Sequence, residues 1–273
     1  MYNYKEEVIF SENIRYFYRT WKNPKNRAIV FICHGIGEHS GNFVELGGLI
    51  ADAGYMVIAP DHYGHGQSGG KKGYIPSWET FRNEIKLILS KENADGMPVI
   101  LYGHSMGATI VLDYFIRNQE NIGGAVVTAP ALSLDGVSGI KKLLGRFMAK
   151  IKPDFQLESG LDTSYLTKDK DMMARLFSDP LAHGKATPRL MLEIEEVINY
   201  CHENANKIEK PILIMQGEKD RIVSPEATKS FFSNIKTEDK TLILVPNGMH
   251  KIEHDTEREE SIEKILNWLK KHN

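Results

Sequence analysis

Six short apolar runs, at 28–33, 56–60, 98–102, 124–129, 211–216 and 241–246, alternate along the chain with stretches that carry apolar residues near helical spacing. Apart from proline or glycine at their margins, these runs contain no breakers. Continuous apolarity over so few residues suits strands buried on both faces. The stretches 42–53, 77–91, 105–118, 225–234 and 256–271 supply helices between them. Such alternation requires right-handed crossovers and a mostly parallel sheet. A hairpin leads in, with strands at 5–10 and 14–21 joined by Ser11-Glu12-Asn13. The expectation is an α/β fold with a mostly parallel eight-stranded sheet and helices on both faces.

One stretch breaks the rhythm. Residues 130–208 hold no buried-strand run, yet they are too apolar for a disordered linker. They read as a helical cap inserted over the carboxyl edge of the sheet, with 1–129 and 209–273 forming the core. At 273 residues and 41% hydrophobic content the chain can build one large unit. A formal net charge of −2 lacks the basic footprint of a nucleic-acid binder, so no nucleic-acid partner is expected. Neither a signal-peptide pattern nor an apolar run approaching about 18 residues is present, and a cytoplasmic protein is expected. Cys33 and Cys201 lack any motif around them and read as free thiols rather than a disulfide or a nucleophile.

The chemistry is concentrated at strand ends. Gly103-His104-Ser105-Met106-Gly107 follows the apolar run 98–102 and opens a helix. A strand–turn–helix of the form G-x-S-x-G is a nucleophile elbow: the turn is too tight for large neighbours and projects the serine hydroxyl above the sheet. The amide of Met106, in the first helical turn, is free to donate to an oxyanion. A hydroxyl nucleophile needs a base, and the base an orienting acid. Asp220 follows the run 211–216 and His250 follows 241–246, in the chain order Ser, Asp, His. Glu218 is the alternative acid. The loop after 28–33, His34-Gly35-Ile36-Gly37-Glu38-His39, faces the elbow by topology, and the Ile36 amide is the expected second oxyanion donor.

The segments HGIGEHSGNF (34–43), PDHYGHGQSGG (60–70), GHSMG (103–107), GEKDRIV (217–223) and NGMHKIEHD (247–255) resemble the monoacylglycerol lipase and lysophospholipase family of α/β-hydrolases. The likeness runs almost the whole length, and SDPLAHGK (178–185) is similar to the family's cap helices. It implies a carboxylester hydrolase that needs no cofactor or metal and acts on small single-chain acyl esters. Ser105, Asp220 and His250 occupy its catalytic positions, and Ile36 and Met106 its oxyanion positions. Glu38, Asn42, Leu144 and Phe147 are candidate substrate contacts. The family often has Arg-Tyr where this chain has Asn42-Phe43, so the arginine's polar contact near the alcohol is missing or replaced. A further departure, Ala108 in place of glycine, falls inside the helix and is mild.

Other readings compete. A serine peptidase of aminopeptidase type fits the same motifs, and a non-catalytic receptor on this scaffold would need no intact triad. His250-Lys-Ile-Glu253-His254 matches H-x-x-E-H, but zinc would need both histidines on one helix, and this motif follows a strand through Pro-Asn-Gly. The cluster at Asp61, His62 and His65 reads as loop-to-loop hydrogen bonding. Ile140, Leu143, Leu144, Phe147, Met148 and Ile151 form one apolar helical stripe, decorated by Lys141, Lys142, Arg146, Lys150 and Lys152. A stripe of this kind can pack on the core or make transient contact with an anionic lipid surface. Packing is preferred, because Gly139 and Gly145 weaken the helix and a cap must bury something. The oligomeric state is left open.

Overall fold

The computed structural model describes residues 2–92, 96–134 and 139–272, with the side chains of residues 140–142 outside that description. The chain begins with β1 (Asn3–Ser11), β2 (Ile14–Lys22), β3 (Ile29–Cys33), α1 (Val44–Asp52), β4 (Met56–Pro60) and α2 (Glu79–Lys91). It continues through β5 (Val99–His104), α3 (Met106–Arg117) and β6 (Ile122–Thr128). An insertion follows with α4 (Gly139–Ile151), β7 (Leu157–Glu158), α5 (Lys170–Ser178), β8 (Lys185–Ala186) and α6 (Pro188–Asn204). The chain then completes β9 (Ile212–Gly217), α7 (Pro225–Asn234), β10 (Lys240–Val245) and α8 (Arg258–Lys271).

The main sheet has eight strands in the order β1-β2-β4-β3-β5-β6-β9-β10, and β7 pairs only with β8. The pairs β1–β2 and β2–β4 are antiparallel, and all pairs from β4 to β10 are parallel. Strand periodicity divides the core into two layers. Ile29, Phe31 and Cys33 of β3 enter one layer, with Phe81, Ile85 and Ile88 of α2, the apolar face of α3, and Phe231 of α7. Val30 and Ile32 enter the other, with Leu46 and Ile50 of α1 and Ile265, Trp268 and Leu269 of α8. Each large aliphatic side chain so buried contributes about 1.5–3 kcal/mol. The run 241–246 departs from the expected burial on both faces: most of β10 is half-buried, because it is an edge strand with a single neighbour.

The insertion is anchored by α6. Thr187 caps its N-terminus by accepting from the Leu190 amide, Pro188 opens it, and Leu190, Ile194, Val197, Ile198 and Cys201 join the layer containing α3. By contrast α4 leaves Leu143, Leu144, Phe147 and Ile151 at 69%, 59%, 58% and 59% exposure. These four residues do not pack on the core as preferred from the sequence. The helix instead buries Ala149 and ties Arg146 to Glu195 of α6, which turns the large apolar residues outward. The stripe's Ile140, with Lys141 and Lys142, lies outside the described side chains. Cys33 and Cys201 are free and buried, and burial pushes both thiols well up from the usual range. Among the described residues no helix is long and apolar enough to cross a membrane.

Where β3 and α3 meet, the backbone leaves no room for a side chain. A β-carbon on Gly107 would stand 2.1 Å from the Cys33 carbonyl oxygen and 2.5 Å from that of His34. Both obstacles are main-chain atoms and cannot rotate away. Gly107→Ala is therefore expected to lower the unfolding free energy by more than about 2 kcal/mol in urea titration. A loss below about 0.5 kcal/mol, the ordinary effect of a surface change, would show that the two elements are not held this closely.

Candidate active site

Ser105 lies between the end of β5 and the start of α3, with φ +56° and ψ −120°. A non-glycine residue in such a backbone conformation costs about 1–3 kcal/mol, so its surroundings must impose it. They do so through the main chain. The Ser105 amide donates to the Thr128 carbonyl at 3.0 Å, and the Ser105 carbonyl accepts from the amides of Ala108, Thr109 and Ala131. A methyl on Gly35 would lie 3.1 Å from Ser105 Cβ, which puts the loop after β3 directly against the serine. Within that loop the Gly35 amide is taken by Glu38 Oε2 at 3.3 Å. Of the expected oxyanion donors, Met106 is the first residue of α3, directly after the serine, and Ile36 follows Gly35 in the β3 loop.

The other two expected residues meet at the same sheet edge. His250 Nδ1 donates to Asp220 Oδ2 at 2.8 Å. That carboxylate also accepts from Gln216 Nε2 at 2.9 Å and from the amides of Ile222 and Val223 at 2.8 and 3.1 Å. Four donors fix its orientation, and in the neutral ring the proton held on Nδ1 makes Nε2 the acceptor. Glu218, the alternative acid, is exposed. The His250 ring lies 4.8 Å from the ring of His104, the residue before Ser105. The loop bearing His250 is strapped to the insertion: the amides of His250 and Lys251 donate to the carbonyls of Tyr165 and Leu166.

A cavity of about 340 Å³ opens beside the β3 loop, with Ile36, Glu38, Asn42, Asp179, His183 and Lys251 among its lining. Glu38 and Asn42, expected from the sequence as substrate contacts, both line it. Leu144 and Phe147 line none of it and face solvent from α4, so the structure does not bring them to the site. The insertion meets the core here through two histidines. The His183 amide donates to the Gly37 carbonyl at 2.9 Å. His39 Nδ1 accepts from the Gly41 amide, so its proton sits on Nε2, which donates to Asp179 Oδ2 at 2.7 Å.

Sequence reasoning missed His104, Lys251 and Glu253 as members of this site: they lie inside the G-x-S-x-G and H-x-x-E-H patterns, but at positions to which those patterns gave no role here. Lys251 is 1% exposed, and its Nζ lies 2.5 Å from Glu38 Oε1. His104 lies between two carboxylates, 3.9 Å from Glu38 and 3.2 Å from Glu253. Burial, and then the neighbouring His250, pushes the His104 imidazole well below the usual histidine range. Burial also lifts the Glu253 carboxyl to about 7. In H-x-x-E-H, residues Ile252–His254 form one turn of 3-10 helix, and Nδ1 of His250 is engaged by Asp220. Among the described residues no group of three or more His, Cys, Asp or Glu is arranged to hold a metal ion. The residues at 61–65 do bond loops together: Asp61 accepts from the Ser40 and Gln67 amides, and His62 Nδ1 pairs with Glu84 at 2.5 Å.

Glu253 gives the fold a definite pH dependence. Its carboxyl titrates near 4.5 in an unfolded chain and about 7 in the native state. The native state holds the proton more tightly, so the stability it contributes is full below the unfolded value and is lost as pH rises through the folded value. Glu253→Gln removes the titration. Its melting temperature, relative to the parent, is expected to be higher at about pH 8 than at about pH 5. A constant difference between the two pH values would contradict a buried, proton-holding Glu253.

Several known proteins resemble this chain over most of its length. The model of the family described as serine aminopeptidase, S33 matches residues 24–257. An abhydrolase domain-containing protein of Dictyostelium discoideum is 32% identical over 92% of this chain, which spans 27% of that longer protein. A monoacylglycerol lipase of Mycolicibacterium smegmatis is 26% identical over 95% of this chain and 94% of its own. The crystal structure of Paleococcus ferrophilus monoacylglycerol lipase superposes with a TM-score of 0.89 at 32% identity, covering 94% of this chain and 99% of that one. The chain belongs to the serine aminopeptidase S33 family and is a monoacylglycerol lipase-like serine ester hydrolase of the α/β-hydrolase fold.

Proposed function

We propose that this hydrolase cleaves monoacylglycerol-like single-chain esters through an acyl-enzyme formed on Ser105. The observation that carries the reading is the Asp220–His250 hydrogen bond, set at the sheet edge where Ser105 stands on its elbow. His250 Nε2 takes the Ser105 proton as Oγ attacks the ester carbonyl, and Asp220 steadies the resulting imidazolium. The amides of Ile36 and Met106 receive the developing oxyanion, each worth about 3–4 kcal/mol. His250 then returns the proton to the departing alcohol, and a water molecule, activated the same way, releases the fatty acid. Glu38 and Asn42 face the alcohol. The family's description also names an aminopeptidase, which would need an anionic partner for a substrate's free amine. Here the charge of Glu38 is already met by Lys251, which favours the neutral ester. Two buried free thiols accord with a cytoplasmic setting.

Ser105→Ala is expected to lower kcat at least about 10³-fold with the fold intact, His250→Ala comparably and Asp220→Asn somewhat less. Fluorophosphonate labelling followed by mass spectrometry should place the adduct on Ser105; an adduct elsewhere overturns the mechanism. A monoacylglycerol tested against an aminoacyl-β-naphthylamide separates esterase from peptidase.

The insertion, residues 130–208, acts in this reading as a cap, with α4 as its contact with lipid. Leu143, Leu144, Phe147 and Ile151 are exposed there beside exposed Arg146, Lys150 and Lys152. Apolar side chains ringed by cations suit an anionic lipid surface. Leu144→Asp and Phe147→Asp should slow hydrolysis of vesicle-borne monoacylglycerol at least about tenfold more than that of a soluble short-chain ester. Equal losses on both substrates would remove the lipid-contact role.

A further inference from the structure

Lys251 is a residue of this site whose bonding is left incomplete. Its side chain is 1% exposed, yet Nζ makes no aligned hydrogen bond, even though Glu38 Oε1 is 2.5 Å away. An ammonium carries three donors, and burying them without acceptors is costly. The residue is not adrift, since its amide donates to the Leu166 carbonyl at 2.8 Å and holds the backbone against the insertion. Lys251 and Glu38 both line the cavity beside the β3 loop. The loop that carries Glu38 touches the nucleophile: a methyl on Gly35 would stand 3.1 Å from Ser105 Cβ on one side and 3.4 Å from Glu38 Cδ on the other. The buried cation with donors to spare therefore faces the cavity beside the β3 loop.

Resting on the ester-hydrolase reading above, we propose that Lys251 is a specificity-determining residue for the leaving alcohol. Together with Glu38 it presents a donor and an acceptor to a neutral polyol head, such as glycerol with two free hydroxyls. The pair carries no net charge, and this sets the selectivity. A hydroxyl oxygen accepts from Nζ while its neighbouring hydroxyl donates to Glu38 Oε1, and neither charge has to be separated from the other. An alcohol bearing a phosphate would have to take Nζ away from Glu38 and would leave that carboxylate beside a dianion. Negative charge on the alcohol is thus rejected although a lysine lines the cavity. Asn42, which also lines the cavity, is neutral, and its Oδ1 accepts from the His39 amide at 3.3 Å. Of the two lysines in the lining, Lys185 pairs with Glu158 and Lys251, on the loop of His250, pairs with Glu38.

The test uses the full chain and three substrates with one acyl group in the same neutral micelles: the monoacylglycerol, the methyl ester and the acylglycerol phosphate. For the parent, kcat/KM should be highest on the monoacylglycerol. Lys251→Met should lower the ratio of monoacylglycerol to methyl ester about tenfold or more, mainly through KM, since a hydrogen bond from a charged donor is lost. Glu38→Gln, which leaves the lysine uncompensated, should raise the ratio of acylglycerol phosphate to monoacylglycerol about tenfold. A purely structural Lys251–Glu38 tie would lower all three rates together. Ratios within about twofold of the parent in a folded Lys251→Met protein overturn the proposal. Should that variant fail to fold, an unchanged phosphate ratio in Glu38→Gln overturns it equally. A parent that hydrolyses none of the three esters removes the ester-hydrolase reading and this inference with it. A parent active on all three without preference removes this inference alone.

Discussion

The carbonyl oxygen of Cys33 occupies the space that a side chain at residue 107 would need, and much of the site depends on that contact. Because α3 approaches β3 so closely, the turn between β5 and α3 must reverse within one residue, and Ser105 is that residue. Its positive φ is maintained by backbone bonds to β6 and the strand-end loop beyond it, not by its side chain. The hydroxyl is consequently free of structural duty. The same approach presses the loop after β3 against the serine, where Gly35 meets it directly.

Charge is distributed unevenly around this backbone frame. Asp220 is held by four donors, His250 among them. A residue away, Lys251, Glu38, His104 and Glu253 form a second buried group whose pairing is looser: Glu253 lies 3.2 Å from His104 Nδ1 yet accepts no hydrogen bond. Burial answers this by neutralisation, lifting Glu253 to about 7 and holding His104 uncharged. The ion pair of Lys251 and Glu38 is what remains, and it faces the cavity.

The sheet and the strand-end positions of the site are legible in the sequence, because both follow from local pattern. Apolar runs mark β3 to β6 and β9, and Ser105, Asp220 and His250 each follow such a run. The hairpin β1–β2 was readable from its turn. Legibility fails where a residue's role depends on what lies opposite. The outward rotation of Leu144 and Phe147 depends on which face of α4 meets α6, and a stripe alone does not say which way it points. The half-exposure of β10 depends on its being last in the strand order. Lys251 and Glu253 look like ordinary charged residues until the loop from β10 folds against Glu38 and His104.

The hydrogen bond from the His183 amide to the Gly37 carbonyl joins residues far apart in the chain, and it has a mechanical consequence. Gly37 directly follows Ile36, so the insertion hangs from the peptide adjoining one of the two expected oxyanion amides. A β-carbon on Gly37 would stand 2.1 Å from the His183 carbonyl oxygen, which leaves no slack in the joint. Displacement of residue 183 away from the core must either break this bond or pull the Ile36–Gly37 backbone with it. The roof over the cavity and the floor of the reaction centre thus share a hinge pin.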